Sequence, residues 1–187
     1  MVEIIPAIIP KSAEDLKDKL ETIKCRADTV HVDFCDDIFA PRTEMFLEAH
    51  LMVADPIALI PDLVKAGFSR ILIQAESVSP EVFAELIHEW RGSVEIAPSL
   101  EIDTSLDALS SFAHELKTVQ LMGIAHIGKQ GEPFDERVVA RVGALHTKYP
   151  HLTIAVDGGV NKKNAKMLTD AGAARLVVGS ALKEFYG

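Results

Sequence analysis

The chain has 187 residues, of which 48% are hydrophobic, and its 28 acidic and 19 basic side chains give a formal net charge of -9. This length and hydrophobic content predict one folded domain, spanning residues 1–187. An acidic chain without a basic stripe is not expected to bind nucleic acid or an anionic membrane surface, because it has too little positive charge to neutralise phosphates.

Cysteine content and hydropathy indicate where the protein resides. Cys25 and Cys35 are too few for a disulfide framework. No N-terminal stretch has the composition of a signal peptide, and no apolar run approaches the roughly 18 residues that a membrane span needs. We therefore expect a cytoplasmic protein that does not associate with membranes.

Short β-branched segments alternate with amphipathic segments along the chain, which predicts parallel strands joined by crossover helices. Eight strands are predicted, near Glu3–Ile9, Asp28–Phe34, Ala49–Val53, Arg70–Ala75, Val94–Pro98, Thr118–Gly123, Leu152–Asp157 and Arg175–Gly179. Helices are predicted over Ser12–Lys24, Pro56–Ala66, Pro80–Trp90, Thr104–His114, Asp135–Tyr149 and Asn161–Ala171, with a short one from Ser180. Eight strands predict an α/β fold, a (β/α)8 TIM barrel.

Two crossovers depart from the regular pattern. Between Asp36 and Ala49 there are too few residues for a full helix with its loops, so the second helix is expected to be missing or reduced. The last helix is short. Apolar residues Phe39, Met45 and Phe46 would then be left uncovered, which predicts a homo-oligomer. An open doubly wound sheet is the alternative fold, disfavoured by the eight strands and by a first turn without a glycine-rich motif.

Two histidines and two aspartates are predicted to meet at the carboxyl ends of three strands. His31 and Asp33 share one face of the second strand, His50 lies on the third, and Asp157 ends the seventh. Alone, each is more often a hydrogen-bonded core histidine or a turn cap. Together they form a suitable site for one divalent ion of Zn, Mn, Fe or Co.

Glycine-containing turns follow the last two strands and indicate a phosphate site. Gly158-Gly159 and Gly179-Ser180 allow backbone amides to approach an anion at the position where barrels commonly bind phosphate. Either sequence alone could simply form a tight turn that binds no anion. The loop from Gly123 to Pro133, which contains Gly128, Lys129 and Gly131, is predicted to be a lid rather than an ordinary solvated loop.

The motifs resemble those of the ribulose-phosphate 3-epimerase family. The resemblance is carried by His31-Val32-Asp33-Phe34-Cys35-Asp36, His50-Leu51-Met52-Val53, Leu121-Met122, Val156-Asp157-Gly158-Gly159-Val160 and Gly179-Ser180-Ala181. It implies that His31, Asp33, His50 and Asp157 bind the metal and that the two aspartates are the catalytic acid and base. It also implies that Met52 and Met122 line the substrate pocket, although both would be equally suited to a plain core.

The implied reaction inverts C3 of a phosphorylated ketose, converting D-ribulose 5-phosphate to D-xylulose 5-phosphate in the pentose phosphate pathway. Inversion next to a ketone needs a proton taken from one face and another returned to the opposite face, which suits two carboxylates. The metal would stabilise the enediolate between the two transfers. Such an isomerase needs no organic cofactor.

Several positions depart from the family pattern. Ala7 replaces a serine, Cys35 a methionine and Asp37 a glycine, and the lid sequence is only loosely similar. These departures leave two alternatives open. One is a catalytically silent barrel that binds a sugar phosphate. The other is a phosphosugar lyase or decarboxylase of the same superfamily. This alternative is disfavoured because those enzymes have an Asp-x-Lys-x-x-Asp motif on the third strand, and no lysine lies near His50.

Overall fold

A computed structural model describes residues 2–35, 38–39, 43–129 and 131–186. Its parallel strands close a barrel in chain order, as predicted, and the first strand pairs with the eighth. The strands are β1 (Glu3–Ile8), β2 (Thr29–Phe34), β3 (Phe46–Leu51), β4 (Arg70–Gln74), β5 (Glu95–Leu100), β6 (Thr118–Met122), β7 (Thr153–Asp157) and β8 (Arg175–Val178).

Helices cover the outside of this barrel. They are α1 (Ala13–Ile23), α2 (Ile60–Ala66), α3 (Pro80–Glu89), α4 (Arg137–Lys148), α5 (Lys162–Ala171) and the short α6 (Leu182–Tyr186). Two of these helices begin at serine caps: Ser12 and Ser79 accept hydrogen bonds from backbone amides in the first turns of α1 and α3. Gly67 and Gly172 end α2 and α5 with φ values of 93° and 115°, the left-handed conformation that glycine adopts without strain.

Alternation along the strands separates two chemically different faces. Val30, Val32 and Phe34 point outward and pack with the helices in the main hydrophobic core. The residues between them, His31 and Asp33, point into the barrel. Buried polar side chains occupy many such inward positions: His31, Asp33, Glu48, His50, Gln74, Ser99, Gln120, Asp157 and Arg175. The barrel interior is therefore polar where most barrels are filled with aliphatic side chains.

Two element predictions were wrong. The segment Thr104–His114 is not an α-helix but contains two 3-10 turns, at Leu106–Leu109 and Ala113–Glu115. Serine side chains that bond to nearby backbone groups favour such turns, and Ser105 accepts a hydrogen bond from Asp107 N. Strand β3 begins at Phe46, three residues before the predicted start, and ends before Met52.

The connection between β2 and β3 contains no helix among its described residues, as the sequence predicted. Asp36 and Asp37 lie outside the described residues. Phe39 and Met45 are partly buried against the core, whereas Phe46 is 36% exposed under the Arg70 guanidinium, 5.1 Å from the ring centroid. Within the described ranges, none of the helices has the length and hydropathy that crossing a bilayer requires.

Candidate active site

Strands β2, β3 and β7 bring the two histidines and two aspartates together. Asp33 on β2 is the register partner of His50 on β3. Asp157, the last residue of β7, reaches them across the barrel. One possible ligand atom from each of His31, Asp33, His50 and Asp157 lies within 4.8 Å of the other three. The structure thus assembles the four side chains that the sequence pointed to, and we refer to them as the His/Asp cluster.

Each carboxylate of the cluster faces both imidazoles. Asp33 Oδ1 lies 3.3 Å from His31 Nε2 and 3.1 Å from His50 Nδ1. Asp157 Oδ2 lies 3.7 Å and 3.5 Å from the same two nitrogens. All four side chains are buried. Two carboxylates concentrated in so little space, away from water, favour a cation between them.

The pKa values of the cluster reflect this concentration of negative charge. Burial by itself lowers the pKa of His31, but the nearby carboxylates of Asp33 and Glu48 outweigh it and raise the pKa to about 10. Burial likewise opposes the rise in the pKa of His50, which its bonds to Asp157 and Asp33 bring about. Burial raises the pKa of Asp33, yet the two histidines beside it lower the pKa overall. The Asp33 carboxylate is therefore favoured in its ionised form.

The two imidazoles are oriented as metal ligands would be. His31 Nδ1 lies 2.8 Å from Glu48 Oε1, and His31 Nε2 has no hydrogen-bond partner among the described residues. His50 Nε2 donates to the Gln74 amide oxygen at 2.8 Å, an orientation in which the Gln74 nitrogen also donates to the Ser99 carbonyl at 3.0 Å. Each ring thus has one nitrogen held by the protein and the other turned toward the carboxylates, a donor set that fits a divalent transition metal.

A cleft lies above the cluster at the carboxyl ends of the strands. Asp33 and Asp157 line it, while His31 and His50 lie beneath. The other predicted site residues also line the cleft: Met52, Met122, Gly128, Lys129, Gly131, Gly158, Gly159, Gly179 and Ser180. Ala7 lies on the same wall. Gln130, within the predicted lid, is outside the described residues.

The turn after β7 requires its glycines. Gly158 and Gly159 have φ values of 100° and 68°, which side-chain-bearing residues rarely adopt. A Cβ on Gly159 would lie 2.7 Å from Phe134 Cα, so the loop leading into α4 packs directly on this turn. Backbone groups rather than side chains therefore form this wall of the cleft.

Sequence reasoning missed the polar residues beneath the cluster. Glu48 accepts from His31, Gln74 holds His50, and the Gln120 amide nitrogen lies 3.4 Å from Asp157 Oδ2. One signal was available: Glu48 is two residues before His50, and on a strand that spacing places both side chains on the same face.

Comparison with known proteins agrees with this geometry. The model of the ribulose-phosphate 3-epimerase family matches residues 3–183. The chain belongs to the ribulose-phosphate 3-epimerase family. Members of this family are isomerases, so the predicted enzyme class and family resemblance are confirmed.

Named relatives of this family match along almost the whole chain. Ribulose-phosphate 3-epimerase of Schizosaccharomyces pombe is 28% identical, covering 96% of this chain and 86% of the relative. The enzyme of the same name from Bacillus subtilis is 27% identical, covering 97% and 92%. Among solved structures, 3-hexulose-6-phosphate synthase from Salmonella typhimurium aligns with a TM-score of 0.72 over 97% of this chain and 90% of that one. Its 11% identity supports the barrel fold alone.

Proposed function

We propose that the protein is a metal-dependent epimerase that inverts C3 of a phosphorylated ketose, interconverting D-ribulose 5-phosphate and D-xylulose 5-phosphate. The observation that carries the proposal is the placement of Asp33 and Asp157. These carboxylates come from non-adjacent strands, β2 and β7, yet both line one cleft and face the same pair of imidazoles. Family membership supports the same reaction class.

The two aspartates would carry the protons. One carboxylate removes the C3 proton from its side of the substrate, and the other, already protonated, returns a proton to the opposite face. The first carboxylate ends protonated and the second ionised, which is the state that the reverse reaction requires.

His31, Asp33, His50 and Asp157 would hold the ion. A divalent Zn, Mn, Fe or Co ion bound there would stabilise negative charge on the substrate oxygens next to C3 while the proton is absent. The imidazoles are set for this task by Glu48 and Gln74, so that the other nitrogen of each ring faces the carboxylates. The protein thus contributes both the donors and their orientation.

The phosphate group of the substrate would lie against the wall of the cleft that the turns after β7 and β8 form. Gly158, Gly159, Gly179 and Ser180 line this wall, with Lys129 from the lid. Backbone amides at close-approach glycines suit a phosphate dianion, and a lysine adds local positive charge to an acidic protein. Met52 and Met122 would give the ketose chain an apolar contact between the two ends.

The test is epimerisation of D-ribulose 5-phosphate by metal-stripped protein, alone and after addition of Mn²⁺, Zn²⁺, Fe²⁺ or Co²⁺. We expect turnover that depends on the added metal and disappears with a chelator. Folded protein that gives no C3 epimerisation with any of these ions would contradict the proposal. Binding of the sugar phosphate without turnover would instead support the silent-barrel alternative, which the presence of Ala7 in the cleft wall favours.

A further inference from the structure

A buried ionic network lies beneath the His/Asp cluster and is centred on Glu48. The Glu48 side chain is fully buried. Its Oε1 lies 2.8 Å from His31 Nδ1, and its Oε2 lies 2.7 Å from Arg70 Nη1 and 2.8 Å from Arg175 Nη2. Strands β3 and β8 are not paired, so the contact between Glu48 and Arg175 crosses the barrel interior.

The arginines are themselves held from the other side. Arg70 Nη2 donates to Glu95 Oε2 at 2.9 Å, and Arg175 Nε donates to Glu3 Oε2 at 3.0 Å. Residues Glu3, Glu48, Arg70, Glu95 and Arg175 form what we call the ionic floor. Adjacent strands supply its outer pairs, since Arg70 is the register partner of Glu95 and Arg175 that of Glu3.

The ionic floor is not explained by its contribution to the stability of the fold. Burying charged groups demands desolvation that their mutual attraction often only balances, and well-packed aliphatic side chains would serve at least as well. Barrel interiors are ordinarily filled with such aliphatic layers. The floor therefore needs an explanation beyond stability, and its contact with His31 supplies one.

The contact fixes which nitrogen of His31 carries the proton. An imidazole that binds a metal ion through one nitrogen is neutral, so it has one N–H, on the other nitrogen, and an ionised carboxylate can only accept. In the metal-bound state Glu48, 2.8 Å from Nδ1, therefore places the proton on Nδ1 and leaves the lone pair of Nε2 for the metal. His31 Nε2, which has no hydrogen-bond partner within the described part of the chain, faces the cluster carboxylates.

We propose that Glu48 is a positioning residue for metal binding, which sets the tautomer and orientation of His31, and that Arg70 and Arg175 hold Glu48 in place for this task. The inference rests on the metal site of the proposed function. It adds a residue that does not touch the ion or the substrate. Carboxylates behind metal-bound histidines commonly act in this way.

The experiment compares Glu48→Gln with the matched control Glu95→Gln. Each variant removes one carboxylate charge from Arg70, but only Glu48 touches His31. Zn²⁺ affinity is measured by competition with a chromogenic chelator, after circular dichroism has established that each protein is folded. We expect Glu48→Gln to weaken Zn²⁺ binding about 10- to 100-fold, and Glu95→Gln to stay within about twofold of the unmodified protein. Equal losses in both variants, or unchanged affinity in Glu48→Gln, would overturn the inference.

A second measurement reads the tautomer of His31 in the unmodified protein, without any substitution. Two-bond ¹H–¹⁵N spectra of the Zn²⁺-loaded protein report the protonation of each histidine nitrogen, with the His31 ring signals assigned through bonds from its own backbone resonances. We expect the His31 proton on Nδ1 and the metal on Nε2. A proton on Nε2 would overturn the inference.

Failure of the inference and failure of the proposed function give different results. If His50→Ala abolishes Zn²⁺ binding while Glu48→Gln leaves it unchanged, the metal site stands and the role of Glu48 is refuted. If the tautomer and affinity results are as expected but no C3 epimerisation occurs, the inference about Glu48 is supported and the proposed reaction fails.

Discussion

Asp33 and His50 lie opposite each other on β2 and β3, and Asp33 Oδ1 is 3.1 Å from His50 Nδ1. The pair joins the two tasks proposed for the site, because Asp33 would both bind the metal and carry a proton. His50 would bind the metal only. Substitutions at the two positions should therefore have different consequences, which the first two predictions use.

Loss of one proton carrier should leave only one of the two proton transfers. Asp33→Asn and Asp157→Asn should each lower the epimerisation rate about 10²- to 10⁴-fold. In deuterated water, each variant should retain slow exchange of the C3 hydrogen with only one of the two epimers, and the two variants should favour opposite epimers. Proton NMR of the sugar phosphates measures this exchange.

Asp18→Asn is the control for these variants, because Asp18 is exposed on α1 away from the cleft. It should behave as the unmodified protein. Equal exchange from both epimers in either cluster variant would exclude the two-base assignment.

Loss of one metal ligand should abolish the increase in the free energy of unfolding that Zn²⁺ binding gives. At a free Zn²⁺ concentration 100 times the dissociation constant, the unmodified protein should gain about 2.7 kcal/mol in free energy of unfolding. His50→Ala should gain almost nothing, because one of the four donors is gone. Urea unfolding with and without metal measures the difference. His88→Ala, an exposed position on α3, should keep the full gain; an equal gain in His50→Ala would remove His50 from the site.

The turn after β7 should not tolerate a side chain. Gly159→Ala combines a positive φ of 68° with a Cβ 2.7 Å from Phe134 Cα, so it should destabilise the fold and raise the KM for the phosphorylated ketose. Gly92→Ala is a matched control, since Gly92 has a φ of 91° but nothing within 4 Å of its Cβ position. That variant should show only the left-handed backbone cost, about 1–2 kcal/mol, with KM unchanged. Urea unfolding and initial rates compare the two; equal destabilisation would show that contact with Phe134 is unimportant.

A hydroxyl at position 7 should strengthen substrate binding. Ala7 is 7% exposed and lines the cleft, so Ala7→Ser adds a hydrogen-bonding group to its wall. A net hydrogen bond of about 0.5–1.5 kcal/mol would lower KM by roughly twofold to tenfold with little change in kcat. Steady-state kinetics measure both constants. Ala13→Ser, exposed on α1, should change neither, and a raised KM in Ala7→Ser would contradict the prediction.

Local patterns predicted much of the fold and of the cluster. The two-residue spacing of His31 and Asp33 places both on one face of any strand, and strand ends in a barrel share one rim. Serine caps at Ser12 and Ser79 were equally predictable, because capping depends on the first turn of the helix. The segment after β5 was not, since an apolar spacing compatible with an α-helix also fits consecutive 3-10 turns.

The sequence by itself determined the eight-strand barrel, the four side chains of the His/Asp cluster and the glycine turns, because each depends on short spacings along the chain. Only the tertiary structure decided how those side chains are held. The contacts of Glu48 with His31, Arg70 and Arg175 join four strands, and they depend on strand register and barrel closure rather than on neighbours in sequence. The pairing of strands that are far apart in sequence fixes which nitrogen of His31 faces the cluster. Local sequence patterns therefore could not predict that orientation.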